Sequence, residues 1–397
     1  MPSPVTARAR WAVAALFLIN GFVVGGWAPQ IPLLLTRLSI SEFTLGLLIL
    51  GFGLGALVAM PITGWIIGRE GSRATALGFG VLTCLALPVV IAAPNVWTAA
   101  LAMIAFGAVM GAMDVAMNAN AAAVERALDR AIMSSSHGFW SLGGFIGGAL
   151  GGLTIAAVGP LAHAGLVAAA SLALLAGAAR FVAATDRPEP RDRQPFVLPR
   201  SPGLYIVGLI SFFCMIPEGA VLDWAAVYMR QEMGAGIATA GFAFAGFSAA
   251  MALMRFAGDS VRDRFGAVKT LRVSAIVAAV GFLAAGLAPG EGLAIAAFAL
   301  AGIGIANTVP ITYSAGGNQP GLAPGAGMSV VTTMGYSGIL VAPSAIGFIG
   351  ERTGFAPIYV GVAGLLLVAA SLAGYAKAAD RAPRGEDAAM EARPKSA

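Results

Sequence analysis

The length and regularity of its apolar runs constrain this chain most. From Trp11 to Lys377 the sequence is a succession of apolar segments separated by short connections. Each segment has roughly twenty residues, which at a helical rise of about 1.5 Å matches the hydrocarbon core of a bilayer. Only 11% of the 397 residues are charged and 58% are hydrophobic, with a mean hydropathy of +0.84. A soluble domain is about a quarter charged, so an all-α integral membrane protein is expected. Its twelve spans are read at 11–35, 44–67, 74–93, 97–122, 137–158, 161–184, 203–229, 237–257, 268–288, 292–315, 324–349 and 356–377.

The basic residues set an orientation. With the N-terminus placed in the cytoplasm, Arg37, Arg230 and Arg352 alone among the 24 Lys and Arg fall on the other side. Positive loops stay cytoplasmic, so both termini are expected there, in a multi-pass protein of a bacterial inner membrane. The pI near 9.6 follows from those loops, and no dense basic patch points to nucleic acid. Cys84 and Cys214 lie within apolar runs and imply neither a disulfide framework nor a metal cluster; no cofactor is expected. The run from Trp11 is read as a first span rather than a cleaved signal. Breaks are expected at Gly25-Gly26-Trp27-Ala28-Pro29 and Ile216-Pro217-Glu218-Gly219, which a membrane tolerates only where the backbone is buried or lines a cavity.

Inside the fourth run, Gly107, Gly111, Asp114, Asn118 and Glu125 recur at helical spacing on one face. An ionisable side chain at the bilayer centre costs at least ~2.5–3.5 kcal/mol on insertion scales. Asp114 is therefore expected to face protein or water and to mark a functional site, with helix-to-helix glue as the structural alternative.

The long hydrophilic connection TDRPEPRDRQPFVLPR, from Thr185 to Arg200, divides the spans six and six. The expected organisation is a bundle over 1–184, a cytoplasmic linker over 185–202, a second bundle over 203–378 and a disordered tail over 379–397. Internal similarity supports the division. The segment from Gly64 to Arg73 recurs from Gly258 to Gly266, Asp114 aligns with Asn307, Met133-Ser134 with Met328-Ser329, and Gly143 with Gly338. Two parallel repeats enclosing a midplane site is an alternating-access architecture.

These features resemble the major facilitator superfamily over nearly the whole chain. The resemblance implies twelve transmembrane helices in two six-helix pseudo-symmetric bundles. The superfamily's loop signature is matched by Gly64, Arg69, Gly71 and Arg73, but Gly68 occupies the place of its aspartate. In the second half Gly258, Asp263, Arg264, Gly266 and Lys269 follow the pattern, with Asp259 beside them. Such a loop latches one state on the cytoplasmic face, and the second copy is expected to hold more of the latch. The run from Ser134 to Gly144 (SSSHGFWSLGG), Asp114 with Asn118 and Asn120, and Glu218 to Tyr228 are similar to the fucose-permease-like bacterial members. The arginine-bearing fourth-span motif of drug/proton antiporters is absent, since no Lys or Arg lies between Arg73 and Arg126.

Asp114, Glu218, His137 and Asp223 are the proton-coupling candidates. No Lys or Arg is expected within the spans to partner Asp114 or Glu218, and an unpaired carboxyl in an apolar interior takes up protons readily. A sodium site built from a carboxylate, Asn118, Asn120 and helix-break carbonyls is the rival. His137 is either a relay at the cytoplasmic mouth or part of a helix cap; Asp223 with Trp224 is either a coupling group or an interfacial anchor; His163 reads as structural. Asn20, Trp27, Asn118, Trp140, Asn307 and Tyr336 are expected to bind substrate, since amides with flat aromatics suit a neutral or weakly charged polar solute. Gly64, Arg69, Arg73, Glu125, Arg126, Asp259, Asp263 and Arg264 are expected at the cytoplasmic gate, with Glu125 pairing to Arg126. The fifth span's paired glycines from Gly143 to Gly152 read first as close packing and second as a sliding surface.

The expected function is secondary active transport of a small polar solute, a sugar or related metabolite, by a proton-coupled monomer in the lipid bilayer. Proton-driven efflux of drugs or metabolites is the alternative within transport. A membrane-embedded enzyme is disfavoured, as no HExxH, GxSxG, paired-His or nucleotide-loop pattern occurs. A non-transporting sensor would need an output domain that the short loops do not supply.

Overall fold

The computed structural model describes residues 4–128, 132–184, 199–320, 322 and 326–380. Its helices are α1 (Pro4–Trp27), α2 (Ile31–Leu38), α3 (Glu42–Ala92), α4 (Val96–Leu128), α5 (Met133–Val158), α6 (Pro160–Ala179) and α7 (Pro202–Gln231). The second half continues with α8 (Ile237–Phe265), α9 (Ala267–Gly286), α10 (Glu291–Ile305), α11 (Thr308–Gly317), α12 (Ala326–Thr353) and α13 (Ala356–Leu372). Eleven stretches are long and apolar enough to cross a membrane. One of them, the 51-residue α3, is interrupted by non-helical backbone at Gly71 and supplies the second and third spans, which makes twelve. The first span is α1, a 3-10 turn at Ala28–Gln30 and α2; the tenth is α10 and α11.

One of the two expected breaks is corrected. The first span does loosen at Pro29, but α7 runs unbroken through Pro217. A proline there removes one backbone donor and frees the carbonyl four residues earlier, and a well-packed helix tolerates this. The break the apolar pattern concealed is at Ala306–Asn307, between α10 and α11. Helices α4 and α8 also outlast their apolar runs, so Glu125 and Arg126 stay on α4, and the segment from Gly258 to Arg264 lies on helix rather than in a loop. The linker from 185 to 198 and the tail from 381 onward fall outside the described residues.

The backbone itself carries the repeat. Among the described residues, positive φ occurs at Ser39, Gly71 and Gly159, and again at Gly234, Gly266 and Gly354, each 195 positions later. Left-handed backbone ends a helix and reverses the chain, so both halves turn after their first, second and fifth spans by the same device. Close helix approaches repeat as well. A Cβ at Gly107 would strike the Phe52 carbonyl of α3, and one at Gly302 would strike the Phe247 carbonyl of α8. Gly143 takes the Leu18 carbonyl of α1, and Gly338 the Phe212 carbonyl of α7. The second of these pairs, Gly143 and Gly338, is the one read from sequence.

The halves meet along α5–α8 and α3–α12. Helix α5 has two glycine faces: Gly143 and Gly147 lie on α1 of their own half, whereas Gly148 and Gly152 lie on α8 of the other. At the end far from the termini, Glu42 accepts from Gln231 Nε2 at 2.8 Å and Glu351 accepts from the Phe43 amide at 3.2 Å. Phe43 and Phe348 meet edge to face with centroids 5.6 Å apart. Contacts thus join the halves at that far end, and the region farther in where the halves face each other, the cleft, carries the polar side chains described next.

Candidate functional site

Seven helices deliver side chains to the cleft. On α4, Asn118 Nδ2 donates to the Asp114 carbonyl at 2.9 Å and to its carboxylate at 3.2 Å. This i, i+4 bond is intrahelical and leaves the rest of the carboxylate facing outward. The hydroxyls of Tyr313 on α11 and Tyr336 on α12 lie within electrostatic range of both Asp114 and Glu218. Tyr336 is 38% exposed, which is accessible for a tyrosine on an inward-turned helix. The acid of the first half thus looks across the cleft at the second.

Glu218 does have a cation, contrary to expectation. Arg255 Nη2 on α8 lies 3.6 Å from Glu218 Oε2 on α7, with side chains 13% and 17% exposed. Arg255 Nη1 donates to Ser141 Oγ on α5 at 2.7 Å, and the guanidinium sits 6.0 Å from the centre of the Trp140 ring. Trp140 Nε1 in turn donates to Asn20 Oδ1 on α1 at 2.8 Å, and Ser248 Oγ donates to the Ser141 carbonyl at 2.8 Å. Arg255 therefore joins a carboxylate of its own half to two side chains of the other. Sequence reasoning counted it among the cytoplasmic charges because it lies close to the end of the span read at 237–257. The signal was present in the lack of any helix stop before Gly266, which places Arg255 ten residues, about 15 Å, inside the end of α8.

His137 lies one turn into α5, edge-on to Phe17 with centroids 5.1 Å apart and within electrostatic range of Arg255. The remaining candidates lie elsewhere. Asp223 is 5% exposed and Trp224 fully buried, stacked on Phe355 at 5.2 Å, which overturns the interfacial-anchor alternative. Trp27 is buried edge-on to Phe106 at 6.3 Å. Asn307 is buried at the break of the tenth span with its Oδ1 over Gly258. Asn120 donates to Ser72 Oγ at 2.9 Å and to the Ala183 carbonyl at 3.0 Å, so it ties helices together rather than facing the cleft. His163 Nδ1 accepts from Gln30 Nε2 at 2.7 Å, beside a cavity of ≈ 350 Å³ in the far end of the first half.

The expected gate is also rearranged. Arg69 stacks on Trp65 at 4.8 Å, Arg73 donates to the Ala179 carbonyl at 3.3 Å, and Gly64 stands free of other helices. Glu125 does not pair with Arg126. Its carboxylate accepts from the amides of Ile132 and Met133 at 2.7 and 3.0 Å, satisfying donors at the start of α5, while Arg126 is exposed. Asp263 and Arg264 are exposed, Arg264 lying 5.5 Å from the Phe265 ring, and the Asp259 side chain falls outside the described part. The residues that close this end of the second half are Arg262, bound to Ser314 Oγ at 2.8 Å and to the Ala379 carbonyl, and Asp380, which accepts from the Ala267 amide at the start of α9.

The comparisons with known proteins agree with this architecture. The Major Facilitator Superfamily profile matches residues 13–217 and again 207–397. An uncharacterized MFS-type transporter of Yersinia pestis is 37% identical over 359 residues, covering 90% of this chain and 93% of its own. Among solved structures, a D-xylose-proton symporter superposes with a TM-score of 0.72 at 12% identity, over 92% of this chain and 96% of that one. The E. coli fucose:proton symporter does so at 0.62 and 18% identity, over 92% and 98%. Twelve spans, a 195-residue repeat in the turns, a charged cleft between halves and these matches lead to one conclusion: the chain belongs to the Major Facilitator Superfamily.

Proposed function

We propose that this superfamily transporter moves a small polar solute across a bacterial inner membrane by alternating access, with protons as the coupling ion. The halves 1–184 and 203–378 would rock about the cleft, with both termini cytoplasmic. The observation that carries this reading is Asp114: a carboxylate in the middle of a spanning helix, held by an intrahelical amide and facing Tyr313 and Tyr336 across the cleft. A carboxyl so placed is costly to keep charged away from water and cheap to protonate, so exposure to one side or the other decides whether it carries a proton. Glu218, paired to Arg255, is the second coupling group. Asn20, Asn118, Trp140, Tyr313 and Tyr336 supply the amide, indole and phenol groups that orient a hydroxylated solute. The likeness to proton symporters for D-xylose and fucose supports the same reading.

Reconstitution tests it. Proteoliposomes containing the purified chain, given an inward proton gradient, are offered radiolabelled sugars, nucleosides and small hydroxylated acids. Accumulation of one of these that collapses with a protonophore, persists in sodium-free buffer and is lost in Asp114→Asn is the expected result. Accumulation that follows a sodium gradient, or that survives Asp114→Asn undiminished, removes the proposal.

A further inference from the structure

We propose that Arg255 recognises an acidic group on the solute and that Glu218 is the counter-ion the solute displaces. The transported class is then a hydroxylated monocarboxylate. This rests on the reading of the cleft as the transport site and makes that site's substrate class specific.

A neutral sugar gives no reason for a guanidinium here. Burying a charge is costly unless its partners recover the loss, and Arg255 is only 13% exposed beside a Glu218 that it does not grip. At 3.6 Å the pair neutralises charge without a well-made hydrogen bond, whose N···O separation is about 2.7–3.2 Å. A guanidinium has five N–H donors in a planar fork suited to two carboxylate oxygens. Here one donor goes to Ser141 and the ring of Trp140 covers one face. The fork is steadied from the first half, through Trp140 and its bond to Asn20, so little side-chain entropy is left to lose on binding.

The surrounding charges favour an exchange. Asp114 on α4, His137 on α5, Glu218 on α7, Tyr313 on α11 and Tyr336 on α12 are the titratable groups facing this region. When a proton binds Glu218 its attraction for Arg255 is lost, and an incoming carboxylate takes its place on the same cation. Arg255 stays neutralised, Glu218 is uncharged, and the site's total charge is unchanged. One proton therefore enters with each carboxylate. Because Arg255 touches Ser141 and Trp140 of one half and Glu218 of the other, the exchange also acts on a contact between the halves.

Thermal stabilisation of the purified full chain tests this with D-gluconate, D-glucuronate and other short hydroxylated monocarboxylates. Each is measured beside its own amide and its neutral sugar. The expected result is that at least one acid stabilises the wild type about tenfold more tightly than its amide, as the loss of one charge-assisted contact requires. Arg255→Gln abolishes that preference, Arg255→Lys keeps part of it, and Glu218→Gln, which removes the competing counter-ion, keeps acid binding. Ser141→Ala, which leaves every charge in place, weakens acid binding several-fold and guards against a poorly folded Arg255 variant. Equal binding of acid and amide, an acid preference that survives Arg255→Gln, or a panel in which no acid binds each overturns the proposal. Uptake of a neutral sugar on a proton gradient, unaffected in Arg255→Gln, overturns it while leaving the transport reading intact.

Discussion

The two halves solve one structural problem with different chemistry. At the terminus-bearing end each must tie the turn between its second and third spans to the end of its sixth. The first half uses a short amide on the fourth span: Asn120 bridges Ser72 and the Ala183 carbonyl. The second half has Ser314 in that region, too short to reach, and Arg262 spans the gap from α8 to Ser314 and the Ala379 carbonyl. The aspartate that the first signature lacks at Gly68 is present in the second as Asp263, yet Asp263 is exposed and the structural carboxylate is Asp380. The repeat thus conserves where chain segments are joined, not which residue joins them. The same holds in the middle of the fourth and tenth spans, where Asp114 faces the cleft on an unbroken helix and Asn307 is buried at a helix break.

The comparison can be broken at several strengths. The severest test is Gly107→Val beside Gly302→Val, since each side chain would enter a carbonyl of the neighbouring span. Overpacking costs about 1–3 kcal/mol where the structure can yield and more where only backbone opposes it. Both variants are expected to lose folded, monodisperse protein in detergent chromatography; loss in one half alone would show that the halves are not equally tight. Next in size, Asp114→Asn should cut gradient-driven accumulation at least about tenfold, whereas Asn307→Ala should leave gradient dependence intact, because a midplane acid is costly and retained for use. Equal losses in the uptake assay would restore the symmetry denied here.

Smaller effects follow at the junctions and turns. Asn120→Ala and Arg262→Ala each leave a carbonyl without its partner at a cost of about 1–3 kcal/mol, read as a lower melting temperature. Matched losses would support equivalent roles for the two ties, and a silent Arg262→Ala would end the parallel. Gly71→Ala and Gly266→Ala should each cost about 1–3 kcal/mol, the penalty of a Cβ at positive φ with extended ψ. A difference of more than that between them would mean that one turn relaxes where the other cannot.

Much of this was readable beforehand, because a bilayer makes apolar length nearly synonymous with a spanning helix. The span count, the two halves and Gly143's match to Gly338 needed only that rule and an offset. Arg255 was missed because it falls at the edge of the span read at 237–257 and was counted with the cytoplasmic charges beyond it, whereas α8 continues to Phe265 and keeps Arg255 well inside the helix. Sequence also paired Glu125 with its neighbour Arg126, when its carboxylate was needed by the orphan amides of α5. Trp224 beside Asp223 looked like an interface belt because sequence records composition but not which side of α7 faces Phe355. The Ala306–Asn307 break carries no proline, and Pro217 carries no break; packing decides both.

The two glycine faces of α5 have a mechanical consequence. One face is locked onto α1 and the other rests on α8, while Gly46 of α3 lies against the Pro343 carbonyl of α12 at the other contact between the halves. A rotation of half against half would pivot on both contacts together. Ser141 and Arg255, which join α5 to α8, would sit on that line and travel little, so a solute held there would stay in register throughout the stroke.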